Sequence, residues 1–275
     1  MAACVTLKTK DEPARGLLNP QTGEQKFRLA RYLPAEDVGR WVEHYWLVAW
    51  NLGDEAPYRS ENLPYPSVHL VFESGNTRIW GVVSGKFTRV LAGAGRVLGI
   101  KFRPGAFYPL VKSPVSRFTD ATFSLEAVLG VDSRPLEQAI FASDDDSQMV
   151  TIAENFIRAH LPAPDDTVEI INQIINGISA DRTITKVADV VARCHLSKRT
   201  LQRLFSQYVG VSPKWVIKRY RLHEAVEQLA NGEVVDWPRL ALDLGYFDQA
   251  HFIKDFKMLV GTPPGEYARG VEIAS

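Results

Sequence analysis

The sequence has few cysteines and no excess of charge of either sign. Cys4 and Cys194 are the two cysteines among 275 residues, and 32 basic side chains balance 32 acidic ones. Two distant cysteines predict neither a disulfide framework nor a zinc site, which fits a reducing cytoplasm. Because the chain is neutral overall, a surface for nucleic acid would have to come from charge that is placed locally.

Long apolar runs are also absent. No segment approaches the ~20 apolar residues that a membrane-spanning helix needs, and the first residues lack the apolar core of a signal peptide. We therefore expect a cytoplasmic protein without a membrane partner.

Several common catalytic signatures are missing as well. The sequence contains no Gly-x-Ser-x-Gly, no phosphate-binding loop, no His-Glu-x-x-His and no reactive Pro-Cys pair. His44 and His69 lie in strand-like runs, but no third ligand is in phase with them. We expect no enzyme, no catalytic residue, no cofactor and no metal site.

The N-terminal part of the chain predicts a sensor domain of mixed structure. Residues 1–26 lack periodicity and predict a flexible arm. Within 27–180, short β-branched and aromatic runs separated by turn pairs predict a small sheet or barrel, at 42–52, 67–73, 77–83, 87–92 and 96–103. Helical patterns follow, and a helix over 167–179 carries an apolar stripe at 3–4 spacing. We place the domain boundary near Asp181, so the fold is α+β, with an all-α domain at 181–275.

Two short helices across a tight turn are predicted beyond this boundary. Lys186–Cys194 forms the first, and Ser197 is a suitable N-cap for the second. The second helix has a buried face at i, i+3, i+4 and i+7, formed by Leu201, Leu204, Phe205 and Tyr208. Its opposite face carries Arg199, Gln202 and Arg203, whose side chains can hydrogen-bond guanine and adenine edges in the major groove. This is the helix-turn-helix arrangement.

Basic residues are concentrated around this second helix. Between Arg193 and His223 there are eight basic residues and no acidic one, namely Arg193, Lys198, Arg199, Arg203, Lys214, Lys218, Arg219 and Arg221. Such a positive segment in a neutral protein predicts a surface for phosphate.

The same pattern recurs 51 positions later. Leu201, Phe205, Val209, Gly210 and Pro213 are matched by Phe252, Phe256, Val260, Gly261 and Pro264, and Trp237–Leu244 predicts the first helix of a second unit. A linker helix over Pro213–Ala230 would span ~27 Å at about 1.5 Å per residue. Successive major grooves lie ~34 Å apart, so one chain could place both units on one duplex without dimerising.

The double motif resembles the AraC/XylS family of bacterial regulators. The residues that carry the resemblance are LSKRTLQRLFSQYVGVSPKWVIKRYRL from Leu196 and LALDLGYFDQAHFIKDFKMLVGTPPGEY from Leu240. It implies promoter DNA as a partner, RNA polymerase as a further one, and DNA contacts by Lys198, Arg199, Thr200, Gln202, Arg203, Gln249, Ala250, His251, Ile253, Lys254 and Lys257. The segments YLPAEDVGRWVEHYW and LGIKFRPGAFYPLVKSPVSRFTD resemble the sensor domain of one AraC-type subgroup.

Two features depart from the family pattern. His195 stands in the turn where the family usually has glycine, so a positive φ there would carry strain. Ala250 and Ile253 cannot hydrogen-bond a base, which gives the hypothesis that the first unit reads bases while Lys254 and Lys257 anchor phosphates.

What the sensor domain binds stays open at the level of sequence. By default the aromatics of this domain are expected to be core. The alternative hypothesis is an apolar pocket with a polar anchor for a small effector, formed by Trp46, Phe72, Trp80, Phe102 and Arg103. Two further hypotheses are control by a protein partner and an enzyme domain fused to a DNA-binding module.

Overall fold

A computed structural model describes residues 8–10, 16–18, 20–230 and 236–274. In its N-terminal part the strands are β1 (Arg28–Tyr32), β2 (Val42–Asn51), β3 (Tyr58–Asn62), β4 (His69–Phe72), β5 (Arg78–Trp80), β6 (Phe87–Leu91), β7 (Ala94–Phe102) and β8 (Thr122–Ser124). Six of them form an antiparallel sheet in the order β1-β2-β7-β4-β5-β8, and β3 pairs with β6 in a separate ribbon. The predicted sheet is confirmed, whereas β1, β3 and β8 were not predicted.

Helices make up most of the remaining described chain. The N-terminal part contains α1 (Pro20–Lys26), α2 (Phe107–Val111), α3 (Leu125–Leu129), α4 (Arg134–Phe141), α5 (Asp146–His160) and α6 (Asp166–Ala180), with a 3₁₀ turn at Val115–Arg117. The C-terminal part contains α7 (Val187–Cys194), α8 (Lys198–Leu204), α9 (Pro213–Ala230), α10 (Trp237–Asp243), α11 (Gln249–Val260) and α12 (Pro264–Ala274). The predicted α+β fold with an all-α C-terminal part is therefore confirmed.

One face of the six-stranded sheet holds the main core. Strand residues alternate between faces, so Tyr45 and Leu47 of β2, paired with Ile100 and Leu98 of β7, point to the same side. There they pack against apolar side chains of α4 and α5, such as Ile140, Met149, Val150, Ala153 and Ile157. The opposite face carries His44, Trp46, His69 and Lys101.

A close approach on that opposite face requires glycine. A Cβ added at Gly99 would lie 2.0 Å from Cε2 of Trp46. The indole ring of Trp46 therefore lies directly on the backbone of β7, and any larger residue at position 99 would displace it.

The C-terminal part packs against the N-terminal part through two apolar clusters. The first unites Val82 and Ala106 with α6, α7, α8 and the start of α9. The second unites Leu18 and Leu63 with the end of α9 and with α10, α11 and α12.

The described part of the arm differs from the flexible segment predicted for residues 1–26. Leu18 is 2% exposed and belongs to the second cluster. Its carbonyl oxygen accepts a hydrogen bond from the Tyr267 hydroxyl at 2.8 Å. A single leucine that docks on distant helices leaves no local pattern, which is why the sequence did not predict it.

Two other features concern expectations about membranes and cysteines. No helix among the described residues is long and apolar enough to cross a bilayer. Cys194 is a half-buried free thiol at the end of α7, and Cys4 lies outside the described residues.

Candidate nucleic-acid interface

The first helix-turn-helix unit consists of α7 and α8. The Asp189 carboxylate accepts hydrogen bonds from the backbone N–H groups of Thr185 and Lys186 at 3.0 and 2.8 Å, which fixes the start of α7. His195 follows the last residue of α7 and has a left-handed φ of 54°. Ser197 then caps α8, its Oγ accepting from the Thr200 N–H at 3.1 Å. The predicted cap is confirmed.

The faces of α8 separate apolar from polar side chains. Leu201 and Phe205 are fully buried, whereas Lys198, Arg199, Gln202, Arg203 and Ser206 are exposed. Thr200 is half-buried and its Oγ1 lies 2.9 Å from the Ser197 Oγ. A π-helical turn at Phe205–Val209 continues α8 to Gly210, whose φ is 93°. The exposed residues form one stripe, which we call the α8 stripe.

The second unit, α10 and α11, repeats this construction. Asp248 caps α11 by accepting from the His251 N–H at 2.8 Å. Phe252 and Phe256 are fully buried, and Gly261 ends the helix with a φ of 100°. Cap, helix and left-handed glycine thus recur at the 51-residue offset that the sequence predicted.

The turns of the two units differ by one residue. In the first unit the left-handed residue is His195, two positions before the cap at Ser197. In the second it is Gly245, three positions before the cap at Asp248. The glycine is required there because an added Cβ would lie 2.5 Å from the Thr185 Cβ.

The predicted contact residues of the second unit do not share one environment. Ala250, His251, Lys254 and Lys257 are exposed, Gln249 is half-buried, and Ile253 is half-buried against the second apolar cluster. His251 also has local partners, since its ring lies 5.2 Å from that of Tyr246 and its Nε2 lies 3.8 Å from an Asp255 oxygen. Ile253 therefore contributes to the core as well as to the surface.

The predicted positive segment is smaller than its eight residues suggested. Arg219 and Arg221 are each 1% exposed. Lys218 pairs with Asp255 at 2.5 Å and Arg193 with Asp181 at 2.7 Å. The other four are exposed and make no ion pair with the described residues, namely Lys198, Arg199, Arg203 and Lys214. The positive charge of this segment that is not ion-paired thus lies on α8 and at the start of α9.

Arg219 attaches the linker helix α9 to the N-terminal part. Its guanidinium donates to the carbonyl oxygens of Ser84 and Gly85 at 2.6 and 3.0 Å, in the loop between β5 and β6. Trp215 donates to the same Ser84 oxygen at 3.0 Å, and Arg219 lies 4.6 Å above its ring. Burial lowers the pKa of Arg219 to about 10, so the side chain remains charged near neutral pH. The next residue of the loop, Lys86, reaches the Val260 carbonyl oxygen at the end of α11 at 3.2 Å.

A signal for the burial of Arg219 was present in the sequence. Trp215, Leu222, Val226 and Leu229 form the apolar stripe of α9, and Arg219 stands at i+4 from Trp215 and i−3 from Leu222. An arginine on the buried stripe of a helix faces the element packed against that helix, where its guanidinium can donate hydrogen bonds, and does not face solvent. Counting charges along the chain, without the helical period, missed this.

A second group of polar residues lies under α9 and was also missed. Lys101 donates to Glu43 at 3.0 Å and lies 4.6 Å above the ring of Tyr65. Tyr65 stacks on His223 of α9 with ring centroids 4.3 Å apart and planes within 3°. Burial on its own would raise the pKa of Glu43, but Lys101 and His44 outweigh it and hold that pKa below its usual range. The same burial lowers the pKa of Lys101.

His69 lies beside this group on the same sheet face. Its Nδ1 accepts from the Trp46 indole at 3.1 Å. Burial, with Lys101 and His44 nearby, lowers the pKa of His69 to about 3, and burial also lowers the pKa of His44. The imidazole of His69 is therefore neutral in the folded protein at neutral pH. Within the described ranges, no three His, Cys, Asp or Glu side chains are grouped to hold a metal ion.

The five residues predicted to form an effector pocket do not meet in one cavity. Phe72 and Phe102 belong to the main core, with 0% and 2% exposure. Trp46 and Trp80 lie on the opposite sheet face, where Trp80 packs edge-on against Phe87 at 5.5 Å. Arg103 donates to the Gly39 carbonyl oxygen at 2.6 Å. The five do not form a single pocket, because strand pairing places Phe72 and Phe102 on the core face of the sheet and Trp46 and Trp80 on the other face.

An open cavity of about 480 Å³ lies elsewhere, between the edge of the sheet and the start of α5. Its lining includes Trp50, Arg28, Asp146 and Arg96. Arg28 and Asp146 form a two-point ion pair at 2.6 and 2.8 Å, and Arg96 pairs with Asp144 at 2.5 Å. The charged groups of this cavity are therefore already paired with one another.

Comparison with known protein families finds two matches. Residues 190–270 match the model of a helix-turn-helix domain, and residues 30–124 match a domain of unknown function, DUF6597.

Curated relatives match over part of this chain. A Bacillus subtilis protein named an uncharacterized HTH-type transcriptional regulator is 26% identical over 169 residues, which is 56% of this chain and 21% of that protein. A Streptomyces lividans protein named a putative AraC-like transcription regulator is 31% identical over 83 residues, or 30% of this chain and 27% of that protein. The matches thus span about a quarter of each relative's length.

Among solved structures, ToxT from Vibrio cholerae is similar at 12% identity, with a TM-score of 0.43 over 82% of this chain and 98% of ToxT.

Proposed function

We propose that this chain, which carries an AraC-type helix-turn-helix domain at residues 190–270, is a sequence-specific regulator of transcription. In this proposal α8 and α11 enter successive major grooves of promoter DNA. The observation that carries the proposal is the recurrence of cap, helix and left-handed glycine at one offset, in two units joined by one 18-residue helix.

The two units have different roles in this proposal. Arg199, Gln202 and Arg203 of the α8 stripe read base edges, since their donors and acceptors are exposed and suit guanine and adenine. Lys198 and Thr200 lie in the first turn of α8, where they meet phosphate. Exposed Lys254 and Lys257 of α11 anchor phosphates, and the methyl group of Ala250 faces a thymine methyl. Gln249, His251 and Ile253 have a secondary role.

The N-terminal part acts as the sensor in this proposal, and the domain boundary lies where α6 ends. Support comes from the contacts of the loop that contains Ser84, Gly85 and Lys86 with both α9 and the end of α11. A small effector, or alternatively a protein partner, that moved this loop would change how the two units are held. RNA polymerase is a further partner in this proposal if the regulator is an activator, and a homodimer is not required, because one chain carries two units.

The experiment is a binding titration at several salt concentrations, using a duplex selected by the protein from a random-sequence pool. Wild type is compared with Arg203→Ala and Lys254→Ala, both of which remove an exposed charge and leave the core intact. We expect binding that weakens steeply with salt, because phosphate contacts release counterions.

Arg203→Ala and Lys254→Ala should affect different properties of binding, namely base discrimination and overall affinity. Arg203→Ala should lower the discrimination between the selected duplex and one with a changed guanine by about 1–3 kcal/mol, whereas Lys254→Ala should weaken both duplexes equally. If a folded wild-type protein selects no sequence and binds no duplex at low salt, the proposal fails. If Lys254→Ala changes base preference, the division of roles is wrong.

A further inference from the structure

The N-terminal part contacts the C-terminal end of the first recognition helix. The 3₁₀ turn at Val115–Arg117 packs on the π-helical turn that follows α8, where an added Cβ at Gly210 would lie 3.0 Å from a Val115 methyl group. Thr119 donates to the Gly210 carbonyl oxygen at 2.8 Å. Tyr108 and Tyr208 lie against each other with ring centroids 4.3 Å apart. These three contacts hold the 3₁₀ turn in a fixed position relative to α8.

The contact reaches the face of α8 that the proposed function turns toward DNA. Ser206 is three residues after Arg203 and belongs to the α8 stripe. Its Oγ lies 3.4 Å from the Ser116 Oγ, and both serines are exposed. The 3₁₀ turn therefore extends the α8 stripe beyond the end of the helix, with residues from a distant part of the sequence.

The turn also carries charge that is not used internally. Arg117 is exposed, and its hydrogen bond to the Ser113 hydroxyl is long, at 3.4 Å. Lys112, which ends α2, is exposed as well. Neither forms an ion pair with the described residues. The nearest acidic residue along the chain, Asp120, is held by Ser84 through its N–H at 2.7 Å and its hydroxyl at 2.6 Å. Asp120 thus forms no ion pair with Arg117, and the basic side chains of the turn remain available to an external anion.

We propose that the segment 112–117 is a third DNA-contacting element, in which Arg117, with Lys112, binds a backbone phosphate at the border of the groove that α8 enters. The proposal rests on the proposed function of α8. A helix in the ~12 Å wide major groove has phosphates on both sides, so an element that continues its exposed face meets the backbone. The guanidinium fork of arginine matches phosphate oxygens in two-point geometry.

This contact gives the N-terminal part a direct role in DNA binding. A phosphate contact sets the position of a protein on the duplex and carries no base information. The part of the chain that senses would thus hold the first recognition helix in its groove, in addition to contacting α9.

The test measures the affinity of the full chain for the selected duplex between 50 and 200 mM salt, for wild type, Arg117→Ala and the double variant Lys112→Ala/Arg117→Ala. Arg134→Ala is the matched control, because Arg134 is exposed on α4 and pairs with Asp132 at 2.7 Å. Near-UV circular dichroism and thermal unfolding establish that each variant is folded.

We expect Arg117→Ala to lower the slope of log affinity against log salt by about 1, and the double variant by about 2. The deficit of Arg117→Ala should then be about fourfold larger at 50 than at 200 mM salt. Base preference should be unchanged in both variants. Arg134→Ala should bind the duplex with the affinity and salt dependence of the wild type. An unchanged affinity in Arg117→Ala would overturn the inference, and so would tighter binding, which would mean that the turn obstructs the groove. These results leave wild-type binding intact, whereas absence of wild-type binding would overturn the proposed function itself.

Discussion

His195 occupies a backbone conformation that suits glycine. Its φ of 54° and ψ of 22° are left-handed, and its side chain is exposed at the turn of the first unit. The Cβ of a non-glycine residue crowds the following carbonyl in this region. The second unit has Gly245 at the corresponding point, with a φ of 81°.

Replacement of His195 by glycine should stabilise the protein. His195→Gly removes about 1–2 kcal/mol of crowding, while glycine gives the unfolded chain about 0.4–1 kcal/mol of additional entropy. The free energy of unfolding should therefore rise by about 0.5–1 kcal/mol. Denaturant unfolding measures it. Gly245→Ala is the matched control and should destabilise, because its new Cβ would meet Thr185. A less stable His195→Gly would show that the imidazole itself contributes to stability.

His69 should make stability depend on pH. Its pKa is about 3 in the folded protein, because of burial and of Lys101 and His44 nearby, against ~6.5 when unfolded. Below pH ~6.5 the unfolded chain therefore takes up a proton that the folded protein refuses. The stability associated with His69 is complete above that pH and is lost as the pH falls toward 3, at up to about 1.4 kcal/mol per pH unit.

The measurement is the free energy of unfolding of wild type and His69→Asn at pH 7.5, 6 and 5. Asparagine keeps an acceptor for the Trp46 indole but cannot take up a proton in this range. We expect a shallower slope in the variant, with a remainder from His44, whose pKa burial also lowers. Equal slopes would mean that His69 is not the titrating group.

Among the helices, the linker α9 is both a spacer and an anchor. Its 18 residues separate the two units, while Arg219 and Trp215 bond the Ser84 and Gly85 carbonyl oxygens of the N-terminal part. A helix held in this way transmits a displacement of that loop to both units.

Arg219→Ala should therefore destabilise the protein strongly. It removes a charged donor from two carbonyl oxygens and leaves a cavity over Trp215, for an expected loss of about 3 kcal/mol in the free energy of unfolding. Lys214→Ala, on the exposed side of the same helix, should change it by less than about 0.5 kcal/mol. Hydrogen exchange is a second measurement. The backbone amides of the loop that contains Ser84 and Gly85 should exchange faster than in the wild type in Arg219→Ala, but not in Lys214→Ala. Equal stability of the two variants would show that Arg219 does not anchor the helix.

The elements that the sequence predicted are those with local signals. Ser197, Gly210 and the 3–4 spacing of α6 and α8 define helices without reference to distant residues, and the alternating runs of β2 and β7 do the same for strands. β1 and β3, with sequences RLARY and YRSEN, are polar and charged. They become strands through pairing with β2 and β6, which no local pattern encodes.

In the candidate site, too, the sequence predicted what depends on local signals and missed what depends on contacts between distant residues. The α8 stripe follows from helical period alone, and its residues are exposed as predicted. The contribution of the 3₁₀ turn beside Ser206 depends on packing between residues 90 positions apart. The predicted pocket depended on which face each strand turns inward, and that is fixed by the register of pairing between β2, β4, β5 and β7.

At the scale of the whole molecule, the two helix-turn-helix units are not independent domains joined by a flexible linker. Val82 and Ala106 contribute to the core of the first unit, and Leu18 and Leu63 to that of the second. The N-terminal part therefore contacts both, and the relative placement of α8 and α11 depends on these contacts as well as on α9.

Hydroxyl-radical footprinting of the full chain on its selected duplex shows whether both recognition helices engage the DNA as proposed. We expect two protected segments on one face of the DNA, centred ~10–10.5 base pairs apart, of which one loses protection in the Arg199→Ala/Arg203→Ala double variant. A single protected segment, or two segments lost together in that variant, would contradict the placement of α8 and α11 in successive major grooves.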